Sequence, residues 1–198
     1  MDNRRVGVII LAGGKGERFH GQKQFVEFKG KPLWQNVYDK VKEVVPKSNI
    51  IVVGIDVPGG RTRAISVRNG LMALNDIDKV VIVEAARPLV TIDQIKIIIE
   101  AEGDSISYVI PCPETVITNE KKYLRRKDLF FMQCPQAFNY KLLRNAMKDE
   151  DKYADRTEES RIMSDEYGID PVFLEGGQNL FKVTFPNDIK YLENFVME

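Results

Sequence analysis

The chain is poor in the residues on which most metal, redox and acid–base chemistry depends. Its 198 residues include one histidine and two cysteines. Cys112 and Cys134 are each followed directly by proline and lack partners at metal-ligand spacing, which speaks against both a zinc site and a disulfide framework. The single histidine, His20, stands in a polar loop and reads as a surface residue. Net charge is absent too. Lys and Arg number 29, and so do Asp and Glu, so the protein as a whole offers no attraction to nucleic acid or to a membrane surface. No uncharged apolar run reaches the roughly 18 residues of a spanning helix, and no apolar leader segment follows MDNRR before the first strand. These absences point to a cytoplasmic protein with neither a nucleic-acid nor a membrane partner. The length suits one compact domain over residues 1–198, able to bury a substantial core.

What is present begins with Val6 to Phe25, VGVIILAGGKGERFHGQKQF. Apolar residues from Val6 to Leu11 predict a buried strand, and a glycine-rich turn follows it. Gly13, Gly14 and Gly16 let main-chain N–H groups approach a ligand closely, while Lys15, Arg18 and Lys23 surround them with charge. The natural occupant of such a concavity is a polyphosphate. A Walker loop would need Ser or Thr where Gly16 stands, and the dinucleotide fingerprint would need glycine where Phe19 stands, so this is a third kind of phosphate loop.

Strand and helix then alternate. Val26 to Lys31 predicts a short extended piece turning at Gly30, and Pro32 opens a helix to about Val44. Asn49 to Ile55 and Lys79 to Val83 predict strands, followed by helices over Arg63 to Leu74 and from a Thr91 cap through an Ile92, Ile95, Ile98 and Ile99 stripe. This alternation predicts an α/β fold, a doubly wound and mostly parallel sheet whose strand ends converge on one ligand site. After a fourth strand, Ile106 to Ile110, the pattern changes. Thr115 to Thr118 and Asp128 to Gln133 predict two arms of a projecting β-arm, about residues 113–134, with Phe130 and Phe131 available to pack a second copy in a homodimer. Asn139 and Thr157 are expected to cap two helices, Pro171 to Leu174 and Phe181 to Thr184 to form closing strands, and Pro186 to open a last helix.

Six blocks together resemble one family, the 2-C-methyl-D-erythritol 4-phosphate cytidylyltransferases and their relatives, the ribitol 5-phosphate cytidylyltransferases among them. They are LAGGKGER at 11–18, KQF at 23–25, GGRTRAISVRNGL at 59–71, AARP at 85–88, PQAF at 135–138 and KVT at 182–184. The resemblance implies a Rossmann-like nucleotidyltransferase fold. It also implies transfer of CMP from CTP to the phosphate of a small polyol, with pyrophosphate released, Mg2+ or another divalent cation as cofactor, and a homodimer. Catalytic roles fall by position on Arg18, Lys23 and Lys182. CTP contacts fall on Leu11, Ala12, Gly13, Gly14, Gly16, Gly60, Arg63, Ser66, Glu84 and Ala85, with Glu84 also the expected metal ligand. Acceptor contacts fall on Arg87, Thr115, Arg126, Cys134 and Arg156, Arg126 reaching the site of the partner subunit.

Departures from the family's pattern concentrate on the acceptor side. Glu84 stands for aspartate, Gln22 for proline, Cys134 for threonine, Ile117 for lysine and Leu180 for asparagine, while Glu114-Thr115 and Arg156-Thr157 replace Asp-Thr and Thr-Asp pairs. The arm is also shorter than usual. Methylerythritol phosphate is the expected acceptor, with ribitol 5-phosphate or another phosphorylated acceptor as the alternative, and a CTP-binding homologue without catalysis as the alternative of another class. The chemistry agrees with so little histidine. A phosphate monoester has its second pKa near 6 and arrives ionised, so the site must supply positioning and charge cancellation rather than a general base.

Overall fold

The computed structural model describes residues 4–195. Strand β1 (Val6–Leu11) carries wholly buried Val8, Ile9 and Ile10, as its apolar run predicts. A tight hairpin, β2 (Glu27–Phe28) and β3 (Lys31–Pro32), leads into α1 (Leu33–Val41). The alternation continues through β4 (Ile50–Val53), α2 (Arg63–Ala73), β5 (Lys79–Glu84) and α3 (Ile92–Glu100). Then follow β6 (Ser105–Pro111), β7 (Phe130–Asn139), α4 (Tyr140–Ala146), α5 (Glu159–Tyr167), β8 (Val172–Glu175) and α6 (Asp188–Phe195).

Among the described residues six strands form one sheet in the order β4-β1-β5-β7-β6-β8. β1 is parallel to β4 and β5, and β6 to β8; β7 alone runs antiparallel to its neighbours. Because successive side chains of a strand face opposite ways, each strand feeds two cores. Val8, Ile10, Val81 and Val83 pack with Val37 and Val41 of α1 and Ile95 and Ile98 of α3. Ile9, Val80 and Ile82 pack instead with Val67 and Leu71 of α2, Leu143 of α4 and Ile162 of α5. Each such fully buried side chain contributes roughly 1.5–3 kcal/mol, and helices on both faces define a doubly wound sheet. The carboxyl ends of β4, β1 and β5 therefore open on one edge, where ligands of such sheets bind. No helix among the described residues is long and apolar enough to cross a membrane.

The capping residues differ in outcome. Thr91 makes a full capping box with Gln94, and Asn139 accepts from Leu142 N–H. Thr157 does not cap α5; Glu158 occupies that position without a side-chain cap bond. Phe181 to Thr184 is not a strand, because the segment is tethered to the loop after β5, Val183 N–H donating to the Ala86 carbonyl at 2.8 Å, rather than laid on a sheet edge. The final helix starts at Asp188, whose carboxylate accepts from the N–H groups of Thr184 and Phe185.

The projecting arm requires the largest correction. Phe130 to Gln133 is no free arm but the start of β7, which crosses the main sheet. Pro135 has no N–H to give the ladder, and proline is ordinarily excluded from a central strand. The ladder accommodates it by a register shift: Ser107 pairs with Gln136 and Tyr108 with Gln133, so residues 134–135 are stepped over. What projects is the connection from 112 to 129, which holds an isolated antiparallel bridge between Ile117 and Tyr123 and one helical turn, Arg126–Asp128.

Candidate active site

The loops after β1, β4 and β5 enclose a cleft of about 780 Å³. Its floor is the glycine-rich loop. Gly16 adopts φ +67°, and a side chain there would collide with the Gly21 carbonyl. Gly13 lies against the loop after β4 so closely that a Cβ would stand 2.8 Å from the Gly59 Cα. The glycine-rich loop and the loop at 59–60 are thus packed backbone on backbone, which only glycine permits. Gln24, buried, steadies the same loop by donating to the Gly14 carbonyl at 3.2 Å.

The opposite wall is the start of α2. Thr62 caps this helix, its hydroxyl accepting from Ile65 N–H. Ser66 Oγ donates to the Thr62 carbonyl at 3.0 Å and accepts from Gly60 N–H at 2.9 Å. The hydroxyl therefore fixes the small-residue loop as well as bordering the cleft.

Cations converge at the third side. Glu84, at the end of β5 and 5 % exposed, accepts from Lys182 Nζ at 2.7 Å, Arg87 Nε at 3.0 Å and Arg63 Nε at 3.2 Å. Burial opposes its ionisation, but Lys182, Arg87 and Arg63 outweigh burial and hold the carboxyl well below the usual carboxylate range. Lys23 Nζ donates to the Val183 carbonyl at 2.6 Å, beside Lys182. Burial, with Lys182 second, pulls the Lys23 ammonium down to about 8.

The cleft brings together Arg18, Lys23 and Lys182, and with them Leu11, Ala12, Gly13, Gly14, Gly16, Gly60, Arg63, Ser66, Glu84 and Ala85. The acceptor set is placed otherwise. Arg87 is buried behind Glu84, bonded to it and to the Leu180 carbonyl, and does not line the cleft. Cys134 is also behind, its sulfur 3.9 Å from Arg63 Nη2, and burial pushes its thiol up to about 12. Arg156 pairs with Asp165 of α5 at 3.2 Å. Thr115 and Arg126 lie exposed on the 112–129 connection, Arg126 donating to the Pro113 carbonyl. His20 is exposed and outside the cleft lining.

Among the described residues no cluster of three or more His, Cys, Asp or Glu could hold a metal ion. Glu84, the expected ligand, has both carboxylate oxygens in ion pairs. The described residues of the cleft thus present cations suited to an anionic ligand.

One charged residue escaped the sequence reading. Glu159, in the first turn of α5, is wholly buried, with both oxygens 2.5–2.6 Å from Arg63 Nη1. Burial raises its pKa against the pull of Arg63. Its spacing from buried Ile162 and Met163, three and four residues on, is the signal that places it on the inward face.

A family model described as 2-C-methyl-D-erythritol 4-phosphate cytidylyltransferase matches residues 6–198. A protein of that description from Clostridium botulinum is 33% identical over 213 residues, covering 92% of this chain and 93% of the relative. One from Thermotoga neapolitana is 32% identical, covering 92% of each. Among solved structures, the bifunctional IspDF of Campylobacter jejuni superposes with a TM-score of 0.80 at 26% identity, over 93% of this chain and 53% of that longer one. The 4-diphosphocytidyl-2C-methyl-D-erythritol synthase of Anaerococcus prevotii gives 0.80 over the whole of both chains at 21% identity, a likeness of fold.

Proposed function

The chain belongs to the 2-C-methyl-D-erythritol 4-phosphate cytidylyltransferase family, a family of nucleotidyltransferases, and on that footing we propose that it transfers CMP from CTP to the phosphate of 2-C-methyl-D-erythritol 4-phosphate. The observation that carries this reading is the meeting of Arg18, Lys23 and Lys182 at a cleft whose floor is bare glycine backbone. The ionised acceptor phosphate attacks the α-phosphorus of CTP, a new P–O bond forms there, and the bond to the β-phosphate breaks with pyrophosphate leaving. No proton need be removed from the nucleophile. Arg18, Lys23 and Lys182 hold the triphosphate in line and offset the charge that gathers on the leaving pyrophosphate. Magnesium, or another divalent cation, belongs to the substrate in this reading: it is held by phosphate oxygens and water and supplies further charge neutralisation. Glu84 then serves as a clamp between cations rather than as a metal ligand.

Cytosine fits the end formed by Gly60 and Ser66, where main-chain carbonyls accept from its exocyclic amine. Ser66→Ala frees the Gly60 N–H and loosens that wall. The expected result is a loss of about 10-fold in the ratio of kcat/KM for CTP over UTP, the order of one neutral hydrogen bond; unchanged selectivity places the base elsewhere. A homodimer belongs to the same proposal, supported by exposed Phe130, Phe131 and Phe173, the first and last in ring contact at 5.7 Å, and by Arg126 on the neighbouring connection.

The test is pyrophosphate release from CTP and magnesium with methylerythritol 4-phosphate, ribitol 5-phosphate and other phosphorylated polyols, repeated over a range of protein concentrations. Release with the first, and specific activity falling on dilution, is expected. Release only with another acceptor overturns the substrate and points to the altered acceptor-side residues, and CTP binding without release overturns catalysis.

A further inference from the structure

Arg63 is shared between two carboxylates that lie on opposite sides of it. Its Nε donates to Glu84 Oε1, while its Nη1 donates to Glu159 and, at 3.2 Å, to the Thr157 carbonyl. Arg63 is the first residue of α2, directly after Thr62, and Glu159 is the first of α5. The ion pair therefore staples the first turn of one helix to the first turn of another. The turn of α2 carries the Thr62, Ser66 and Gly60 hydrogen bonds that shape one wall of the cleft, and Glu84 on the other side of Arg63 holds Lys182.

We propose that Glu159 is a positioning residue of the nucleotide site, which sets Arg63 and through it both the start of α2 and the Glu84–Lys182 pair. Glu159 does not itself line the cleft and touches no substrate. Charge arithmetic explains why a wholly buried carboxylate is needed. Arg63, Arg87 and Lys182 face Glu84 as their common partner, and Glu159 is the second anion that keeps Arg63 from collapsing onto it. With Glu159 neutral, the guanidinium is drawn wholly to Glu84, the Thr157 and Glu159 contacts are given up, and Lys182 competes for a carboxylate already taken. The acid at the amino end of α5 also sits where a helix favours negative charge. A residue with this placement governs geometry at the reacting atoms without meeting them, and displacements of about 1 Å there can cost on the order of 100-fold in rate.

The inference rests on the proposed nucleotide chemistry, so its test reads CTP binding and turnover separately. In Glu159→Gln, calorimetry is expected to show CTP binding weakened, and kcat with it reduced, for a product about 10- to 100-fold lower in kcat/KM. Glu159→Asp, which restores the charge one methylene short, is expected to recover part of the loss. In an Arg63→Met background, Glu159→Leu is expected to lower neither binding nor kcat/KM further, because the residue acts through Arg63; this double variant also removes both buried charges together, which folded proteins tolerate. Wild-type CTP binding and kcat/KM in folded Glu159→Gln, or full additivity of the two substitutions, overturns the inference. Wild-type protein that binds CTP but releases no pyrophosphate overturns the proposed reaction alone and leaves the binding comparison to decide Glu159. Absence of CTP binding by the wild type overturns both.

Discussion

Lys23→Ala is expected to lower turnover by about 100- to 1000-fold, the usual consequence of removing one preorganised donor from developing charge, while the protein remains folded. The fold is insensitive for a structural reason. The lost bond runs from Nζ to the Val183 carbonyl at the cleft, a charge-assisted contact worth about 1.5–3 kcal/mol, and Lys23 is not part of the apolar core. The same lysine sets a pH limit. Its ammonium value is about 8, lowered chiefly by burial, so it is charged below that value and loses the charge as pH rises through it. The kcat/KM for CTP should therefore fall above about pH 8. In Lys23→Arg, whose guanidinium stays ionised, the plateau should extend to higher pH at a reduced level, which separates Lys23 from Lys40, another half-buried lysine with a value of about 8. Near-normal turnover in Lys23→Ala removes Lys23 from the mechanism.

Glu84→Ala is expected to destabilise the fold by about 3–5 kcal/mol, the range for breaking a buried charge cluster by deleting one partner, and to abolish measurable turnover. Three cations lose a common anion, but they are not equally stranded. The Lys182 and Arg63 side chains are 32% and 22% exposed and can turn toward solvent, whereas that of Arg87 is 10% exposed and keeps the Leu180 carbonyl as its remaining acceptor. Arg87 should carry most of the cost. A double variant, Glu84→Ala with Arg87→Met, is accordingly expected to recover much of the stability without recovering activity. The urea midpoint measures this, and a midpoint for Glu84→Ala close to the wild type would show that the cluster contributes little to the fold.

Glu84 also bears on the acceptor side of the site. The family resemblance implies acceptor roles for Arg87, Cys134 and Arg156, yet Arg87 and Cys134 are buried behind the Glu84–Arg63 pair and Arg156 is engaged with Asp165. Thr115 and Arg126 lie on the exposed 112–129 connection, away from the cleft lining.

The alternation of apolar strands with amphipathic helices, the glycine loop after β1 and its flanking cations were legible in the sequence by itself, because each depends on neighbours a few residues apart. A strand's burial shows in its apolar run, a helix in its 3.6-residue period, and a glycine-rich loop in glycines spaced over a single turn. Pairings across 21 to 98 positions carry no such local mark. Only the tertiary structure decided that Glu84 would be shared by Lys182 and Arg63, and that Glu159 would be buried against Arg63 from 96 residues away. It also placed Phe130 to Asn139 in the middle of the sheet, where β6 pairs with β7 on both sides of Cys134 and Pro135 and leaves those two residues unpaired. Local steric and hydrophobic preferences act along the chain and can be read from it, whereas a buried charge finds its partner only where the packed elements bring one.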